Sequence, residues 1–414
     1  MPLRPPAGFI SAFYDPLRNP NAPTIGTATG DNEAASVTFT APSNVGGSAI
    51  SSYSAISTPG AFIGSAASSP VTVTGLTNGT AYTFAVWATN SYGPSAYSAS
   101  SGSVTPALQR ALFAGGIANG GGSASATIQY VSISSTGNTA VFGNLTVARY
   151  SAGGLGSTTR SVFAGGDGNS ITGLERIDYV NPATTGNATD FGRLTANGRS
   201  GLGAASNDTR GLFVAGYNGG FGPGFMNVVD YITIASAGNA TDFGDTSITC
   251  SNLAAVASPT RVVWAAGYNG GLPGTMGYFT IASTGNSTSF GTILSGSEAW
   301  YLASASSNTR GLFAGGSTST GYTGASNSIT YITIASTGNS VNFGSLTARR
   351  WKIAGTSSST RAIFAGGVTQ SDTQVNIIDY VTIASTGNAA DFGDLIYGSP
   401  TEIAGTSNCH GGLS

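Results

Sequence analysis

Arg160-Ser-Val-Phe-Ala-Gly-Gly166, followed by Ile177-Asp-Tyr-Val180, Thr185-Gly-Asn187 and Asp190-Phe-Gly192, decides the fold, because the chain writes this pattern six times. The opening arginines are Arg110, Arg160, Arg210, Arg261, Arg310 and Arg361. A period of roughly 50 residues marks a repeat array, not a single globular core. Within a copy, Leu112-Phe113 runs into Gly115-Gly116, and paired glycines end a strand because they permit φ > 0 and carry no side chain to pack. Ile128-Gln-Tyr-Val-Ser-Ile133 alternates at period 2, as a half-buried strand does. Thr136-Gly-Asn138 then predicts a hairpin turn into Val141-Phe142, and the turn recurs at Thr185-Gly-Asn187, Ala237-Gly-Asn239, Thr284-Gly-Asn286, Thr337-Gly-Asn339 and Thr386-Gly-Asn388. A fourth segment, such as Arg349-Arg-Trp-Lys-Ile-Ala-Gly355, leads through a Ser/Thr-rich turn into the next arginine.

Four strands per repeat predict the blade of a β-propeller. The order of arginine, strand ending in Gly-Gly, variable loop, tyrosine, short turn and large aromatic resembles kelch, with Tyr130, Tyr179, Tyr231, Tyr278, Tyr331 and Tyr380 in the tyrosine position. Phe142, Phe191, Phe243, Phe290, Phe343 and Phe392 stand where kelch usually has tryptophan, and Ala215-Gly216 and Ala266-Gly267 replace two of the Gly-Gly pairs. The first copy has no innermost strand of its own, whereas Thr401-Glu-Ile-Ala-Gly-Thr-Ser407 at the chain's end matches Lys352-Ile-Ala-Gly-Thr-Ser357. The expected architecture over residues 107–414 is a six-bladed kelch-like propeller closed by its C-terminal strand.

Residues 23–106 resemble a fibronectin type III module, a β-sandwich. Ala35-Ser-Val-Thr-Phe-Thr-Ala-Pro42 reads as its second strand, Gly46-Gly-Ser-Ala-Ile-Ser-Ser-Tyr53 as a turn and third strand, Leu76-Thr-Asn-Gly-Thr-Ala-Tyr82 as a tyrosine corner and Thr83-Phe-Ala-Val-Trp-Ala-Thr-Asn90 as the next strand. The fold class expected for the whole chain is therefore all-β. Residues 1–22 interleave prolines with Phe9, Ile10, Phe13, Tyr14 and Leu17, too apolar for a free linker and too broken for a helix, so they are expected to form a docking arm.

Charged residues make up 8% of the chain and the net charge is −2, which disfavours nucleic acid as a partner. No apolar run is long enough for a membrane-spanning helix, and Met1-Pro-Leu-Arg-Pro-Pro-Ala-Gly8 lacks the apolar core of a signal peptide. His410 is the only histidine, so a copper or zinc site, a Ser-His-Asp triad and any bound cofactor are not expected. Glu175, Glu298 and Glu402 leave paired-carboxylate chemistry formally open, with nothing in the repeats to place a second acid beside Glu298. Cys250 and Cys409 are expected on innermost strands across the array from one another, unbridged. The repeated arginines are expected to brace turns or neighbouring blades, with Asp190, Asp242 and Asp391 on the same face.

Variation concentrates in the loops after the Gly-Gly strands, the usual place for binding surfaces on repeat scaffolds. Tyr217-Asn-Gly-Gly-Phe221 and Tyr268-Asn-Gly-Gly-Leu272 repeat there, and Arg149-Tyr150, Trp300-Tyr301 and Arg349-Arg-Trp351 lie on the same face. The candidate ligand-binding residues are Tyr217, Asn218, Phe221, Tyr268, Asn269, Trp300, Arg349, Arg350 and Trp351, a set of aromatic, amide and guanidinium groups suited to sugar rings. The low-lysine, Gly/Ser/Thr/Asn-rich chain with its arm resembles bacteriophage virion appendages. That resemblance implies a non-enzymatic structural protein made in the host cytoplasm, anchored to other virion proteins through the arm, able to assemble in several copies, and facing host glycan or protein. The alternatives are a bacterial propeller that binds another protein and a carbohydrate-active enzyme.

Overall fold

Apolar residues alternate with Ser and Thr, turns are glycine-rich, and no helical period is sustained, so every long regular element is a strand. The computed structural model describes residues 17–117, 122–169, 174–195, 198–218, 224–265, 267–271, 273–294, 300–319, 324–397 and 400–413. Among these residues there is no α-helix. The chain divides into two compact units, Met1–Leu108 and Gln109–Ser414.

The first unit holds two antiparallel sheets. One is β1 (Thr24–Asp31), β2 (Ala34–Thr40) and β5 (Val71–Thr74); the other is β4 (Ile63–Ala66), β3 (Ser52–Thr58), β6 (Thr83–Asn90) and the short β7 (Gly93–Pro94). Inward-facing Val37, Val73, Phe84 and Val86 form its core. The Tyr82 hydroxyl accepts from the Thr77 N–H at 3.1 Å, five residues upstream, fixing the corner into β6. Beyond β7, Ser95, Ser98 and Ser101 run along the edge of β6: their hydroxyls accept from the N–H groups of Ala88, Val86 and Phe84, and their own N–H groups donate to the same three residues' carbonyls. A serine at every third position thus satisfies an edge that would otherwise invite strand addition.

The second unit holds six four-stranded antiparallel sheets in a propeller-like arrangement. The first joins β8 (Arg110–Ala114), β9 (Thr127–Ser132) and β10 (Ala140–Asn144). The second is β11 (Gly153–Gly156), β12 (Ser161–Ala164), β13 (Arg176–Val180) and β14 (Thr189–Arg193); the third is β15 (Gly203–Ser206), β16 (Arg210–Asn218), β17 (Gly224–Thr233) and β18 (Thr241–Cys250). The fourth is β19 (Ala254–Ala257), β20 (Arg261–Ala265), β21 (Thr275–Thr280) and β22 (Thr288–Thr292); the fifth is β23 (Ala303–Ser306), β24 (Arg310–Ala314), β25 (Ser328–Thr333) and β26 (Val341–Ser345). Around the two-residue pairing of β27 (Arg350–Trp351) with β30 (Val368–Thr369), the sixth comprises β28 (Ala354–Ser357), β29 (Arg361–Ala365), β31 (Ile377–Thr382) and β32 (Ala390–Asp394). The last strand, β33 (Ala404–Ser407), pairs with β8, placing Gly405 opposite Phe113.

The Phe-Gly step of each repeat is a β-bulge, as between Val141 and Gly143. The bulged phenylalanine turns inward and meets the repeat's tyrosine edge-to-face, with ring centroids 5.8 Å apart for Tyr130–Phe142 and Tyr179–Phe191. Each buried phenylalanine of this kind contributes about 2 kcal/mol of apolar burial. The cores lie between neighbouring sheets. Phe213 of the third sheet packs with Val162 and Phe191 of the second, and Phe113 of the first packs with Ile363 and Phe392 of the sixth. The glycine after each bulge is where the next repeat's turn arrives: a methyl on Gly143 would overlap the Gly186 carbonyl, and one on Gly393 the Gly137 carbonyl.

The repeated arginines all make two kinds of contact. Every guanidinium lies over its own repeat's tyrosine ring, at 4.2 Å for Arg261–Tyr278 and 4.8 Å for Arg361–Tyr380. Each also donates to a carbonyl of the following repeat: Arg110 to Pro182, Arg160 to Ile234, Arg210 to Ile281, Arg261 to Ile334, Arg310 to Ile383 and Arg361 to Ile133. The aspartates take no part in this. Asp190 pairs with Arg193 and Arg176, while Asp242 and Asp391 are exposed. The cysteine placement also needs correction: Cys250 closes β18, an outermost strand opposite Met226, and Cys409 follows the innermost β33. Neither is in a disulfide, and burial pushes the Cys250 thiol up to about 12.

Candidate functional site

In each repeat the residue just past the Gly-Gly strand bridges to the residue three before an innermost strand. The pairs are Asp167 with Tyr150, Tyr217 with Ser200, Tyr268 with Ser251, Ser317 with Trp300, Val368 with Trp351 and Ile117 with Thr401. These bridges hold the variable loops and the entries to the innermost strands on one face. They also line up an aromatic run: Tyr217–Phe225 at 5.3 Å, Phe225–Tyr268 at 5.5 Å, Tyr268–Trp300 at 5.2 Å and Trp300–Trp351 at 5.7 Å between centroids. Tyr301 joins its end, 5.0 Å from Trp300 and 5.6 Å from Trp351.

The run brings together four of the residues singled out in the sequence, but not all as exposed surface. Tyr217 is 40% exposed, Asn269 and Arg349 are exposed, and Tyr268 and Trp300 are half-buried. The Trp300 Nε1 donates to the Ser319 carbonyl at 3.0 Å. Phe221 lies outside the described residues, as do Phe9, Ile10, Phe13 and Tyr14 of the arm and Glu298; Leu17 is exposed. Three residues expected on the surface are interior instead: Asn218, Arg350 and Trp351. Trp351 is the floor under Trp300 and Tyr301, not a free platform.

Arg350 is interior because it belongs to a device used three times. Its Nη2 donates to Asp379 at 2.8 Å and its Nη1 to the Gly366 and Ile377 carbonyls. Arg149 pairs with Asp178 at 2.9 Å and Arg199 with Asp230 at 2.7 Å, each side chain fully enclosed. Thr347, Thr146 and Thr195 add their N–H and hydroxyl to the same carboxylates. Burial lowers the pKa of all three guanidinium groups against the pull of their aspartates. The other sheets put Gln129, Thr330 and Gly277 at the aspartate's place, and over Gly277 lies the larger ring of Trp264. The missed signal was a threonine shortly before an arginine at the end of a repeat, paired with an aspartate before the tyrosine of the repeat that follows, in three places.

The sequence reading also missed a ring of six positions with left-handed backbone just before the innermost strands. They are Ser151 (φ 53°), Gly201 (58°), Asn252 (52°), Tyr301 (57°), Lys352 (56°) and Glu402 (56°). Their backbones are linked in succession: Ser151 N–H donates to Glu402, Gly201 to Ser151, Asn252 to Gly201, Tyr301 to Asn252, and Glu402 to Lys352. These residues and Leu202, Leu253, Leu302, Ile353 and Ile403 line a pocket of about 100 Å³. Lys352 Nζ forms an ion pair with Glu402, and the Ser151 hydroxyl donates to the same carboxylate. The ammonium also sits 4.6 Å from the Trp351 ring centroid and 5.3 Å from that of Tyr301. Burial, then the nearby Glu402 carboxylate, raises the Tyr301 phenol above its ordinary value. The legible clue was one glycine and one asparagine among residues standing a fixed distance before the repeated arginines, since those two types tolerate φ > 0.

Below the pocket, all six innermost strands line a cavity of about 140 Å³, walled by Gly, Ala, Ser and Thr together with aliphatic residues such as Leu155 and Val256, and reaching His410. His410, close behind β33, is held in place. Its Nε2 donates to the Gly156 carbonyl at 2.9 Å and lies 3.2 Å from the Ser206 hydroxyl, while its Nδ1 accepts from the Gly412 N–H at 3.1 Å. Gly411 N–H donates to Ser306. The chain's last residues therefore cross between innermost strands of different sheets. Among the described residues no group of three or more His, Cys, Asp or Glu side chains is placed to hold a metal ion.

Comparison with models of known protein families gives no match, and no curated protein matches the sequence.

Proposed function

We propose that the six sheets form a closed, six-bladed propeller of kelch type behind a fibronectin type III-like module, in a non-enzymatic bacteriophage virion appendage that binds host-surface glycan through its loop face. Closure is supported by β33 lying beside β8, by arginine bonds that run from each repeat to the next and from the sixth to the first, and by a cavity lined by all six innermost strands. Removing residues 400–414 would leave the free edge of β8 unpaired and is expected to unfold the whole second unit in one transition; a truncated chain that melts like the full one would refute closure.

The observation that carries the binding reading is the aromatic run from Tyr217 to Trp351, crossing repeats three to five beside exposed Asn269 and Arg349. Rings in a row, flanked by amide and guanidinium donors, suit the apolar faces and hydroxyl edges of consecutive sugars. Tyr217→Ala with Tyr268→Ala is expected to weaken oligosaccharide binding about tenfold or more, at roughly 1–3 kcal/mol per stacked ring by analogy with aromatic stacking elsewhere. Trp351→Ala is not a clean test, because that ring is interior.

The virion setting rests on the arm and on composition. Deleting residues 1–22 is expected to release the protein from purified particles while both units stay folded. Mass spectrometry of virions decides the setting, and absence of the chain from particles would favour a bacterial propeller that binds another protein.

A further inference from the structure

Five side chains meet at the pocket on backbone that would cost less as glycine. The left-handed conformation recurs at all six ring positions, at five of them with the N–H reaching the carbonyl of the preceding ring position, and Gly201 shows the residue that folding alone would choose. A non-glycine residue held there costs on the order of 1 kcal/mol. Asparagine tolerates it; serine, tyrosine, lysine and glutamate do so at a cost. Strain repeated around one pocket points from structure to use.

We propose that this pocket is a distinct subsite that takes the hydroxyl edge of one uncharged sugar ring against the Lys352–Glu402 ion pair. The inference rests on the reading of the loop face as a glycan surface. Its volume, about 100 Å³, equals that of roughly three waters, which suits one ring edge and not a chain. The chemistry selects for neutrality. Lys352 and Glu402 cancel each other's charge, so an entering carboxylate meets Glu402 and an entering ammonium meets Lys352. A pair of vicinal hydroxyls satisfies both, one accepting from Nζ and the other donating to the carboxylate. The hydroxyls of Ser151 and Tyr301 complete the polar rim, and Leu302 and Ile353 supply apolar wall.

The test uses the full chain and, as probes, the methyl glycosides of glucose, galactose and mannose beside glucuronic acid and N-acetylneuraminic acid, followed by ligand-observed NMR. At least one neutral glycoside is expected to bind and neither acid to do so. The double variant Lys352→Gly with Glu402→Gly, which leaves neither enclosed charge unpaired, is expected to cut that binding at least tenfold while leaving the melting temperature unchanged or higher, because glycine relieves the backbone. A merely structural pair would instead lose stability. Lys352→Met and Glu402→Gln repeat the binding test with the backbone strain kept. Failure of every neutral glycoside to bind, equal binding of an acid, or full binding by the folded variants would overturn the subsite. The two readings separate: Tyr217→Ala with Tyr268→Ala should weaken an oligosaccharide and leave the methyl glycoside untouched. Oligosaccharide binding that depends on the tyrosines but not on Lys352 or Glu402 would sink the subsite alone.

Discussion

Arg361 Nη1 donates to the Ile133 carbonyl 2.8 Å away, across a separation of 228 residues. The same arginine lies over the Tyr380 ring, so one side chain ties its own sheet to the first. Five earlier arginines make the equivalent bond forward to the next repeat. Arg361→Ala is therefore expected to cost about 1–3 kcal/mol, from a charge-assisted hydrogen bond and a partly solvated cation–π contact. Arg361→Lys should recover only part, because an ammonium lacks the planar fork. Thermal melts of both variants check this, and equal loss at Arg361 and at exposed Arg349 would refute it.

The buried and exposed aspartates should separate cleanly. Asp178→Ala leaves Arg149 charged and enclosed, and is expected to destabilise by about 3–5 kcal/mol. Asp190→Ala removes exposed pairs with Arg193 and Arg176 and should change stability by less than about 1 kcal/mol. Denaturant unfolding of the two variants gives the comparison.

Glycines that look alike in the sequence should respond differently to a methyl group. Gly393→Ala drives its Cβ into the Gly137 carbonyl on backbone at φ 146°, whereas a Cβ on Gly387 meets nothing within 4 Å. A loss of about 1–3 kcal/mol is expected at Gly393 and little at Gly387. Similar midpoints for the two variants would contradict the packing of turn against bulge.

His410 makes stability depend on pH. Burial lowers its folded pKa below the free value of 6.5, with Asp208 as the one charged group that opposes the shift, so the unfolded chain binds the proton first. Its contribution is fully present above 6.5 and is lost as pH falls from there through the lower folded value. Protonation at Nδ1 would also remove the acceptor for the Gly412 N–H. The melting temperature should drop over this window, and His410→Gln should flatten that part of the profile.

Strand order within a repeat, the turns and the all-β class were legible because each is set locally: period-2 alternation, paired glycines and a Gly-Asn turn need only neighbouring residues. The match between residues 401–407 and 352–357 was likewise enough to point β33 toward a sheet lacking an innermost strand. Exposure was not legible in the same way. Arg349 and Arg350 are adjacent and chemically identical, yet one is exposed and the other enclosed with Asp379, because only the sheet's geometry decides which faces the carboxylate. Trp351 was read as surface and is floor for the same reason.

The sequence by itself determined the repeat, because a short pattern of strand, turn and aromatic carries its own local physics in every copy. Only the tertiary structure decided what gathers at the pocket. Ser151, Asn252, Tyr301, Lys352 and Glu402 share no residue type and lie one or two repeats apart, so no local rule groups them. They meet because left-handed backbone, linked carbonyl to amide between neighbouring repeats, turns each of them toward one point.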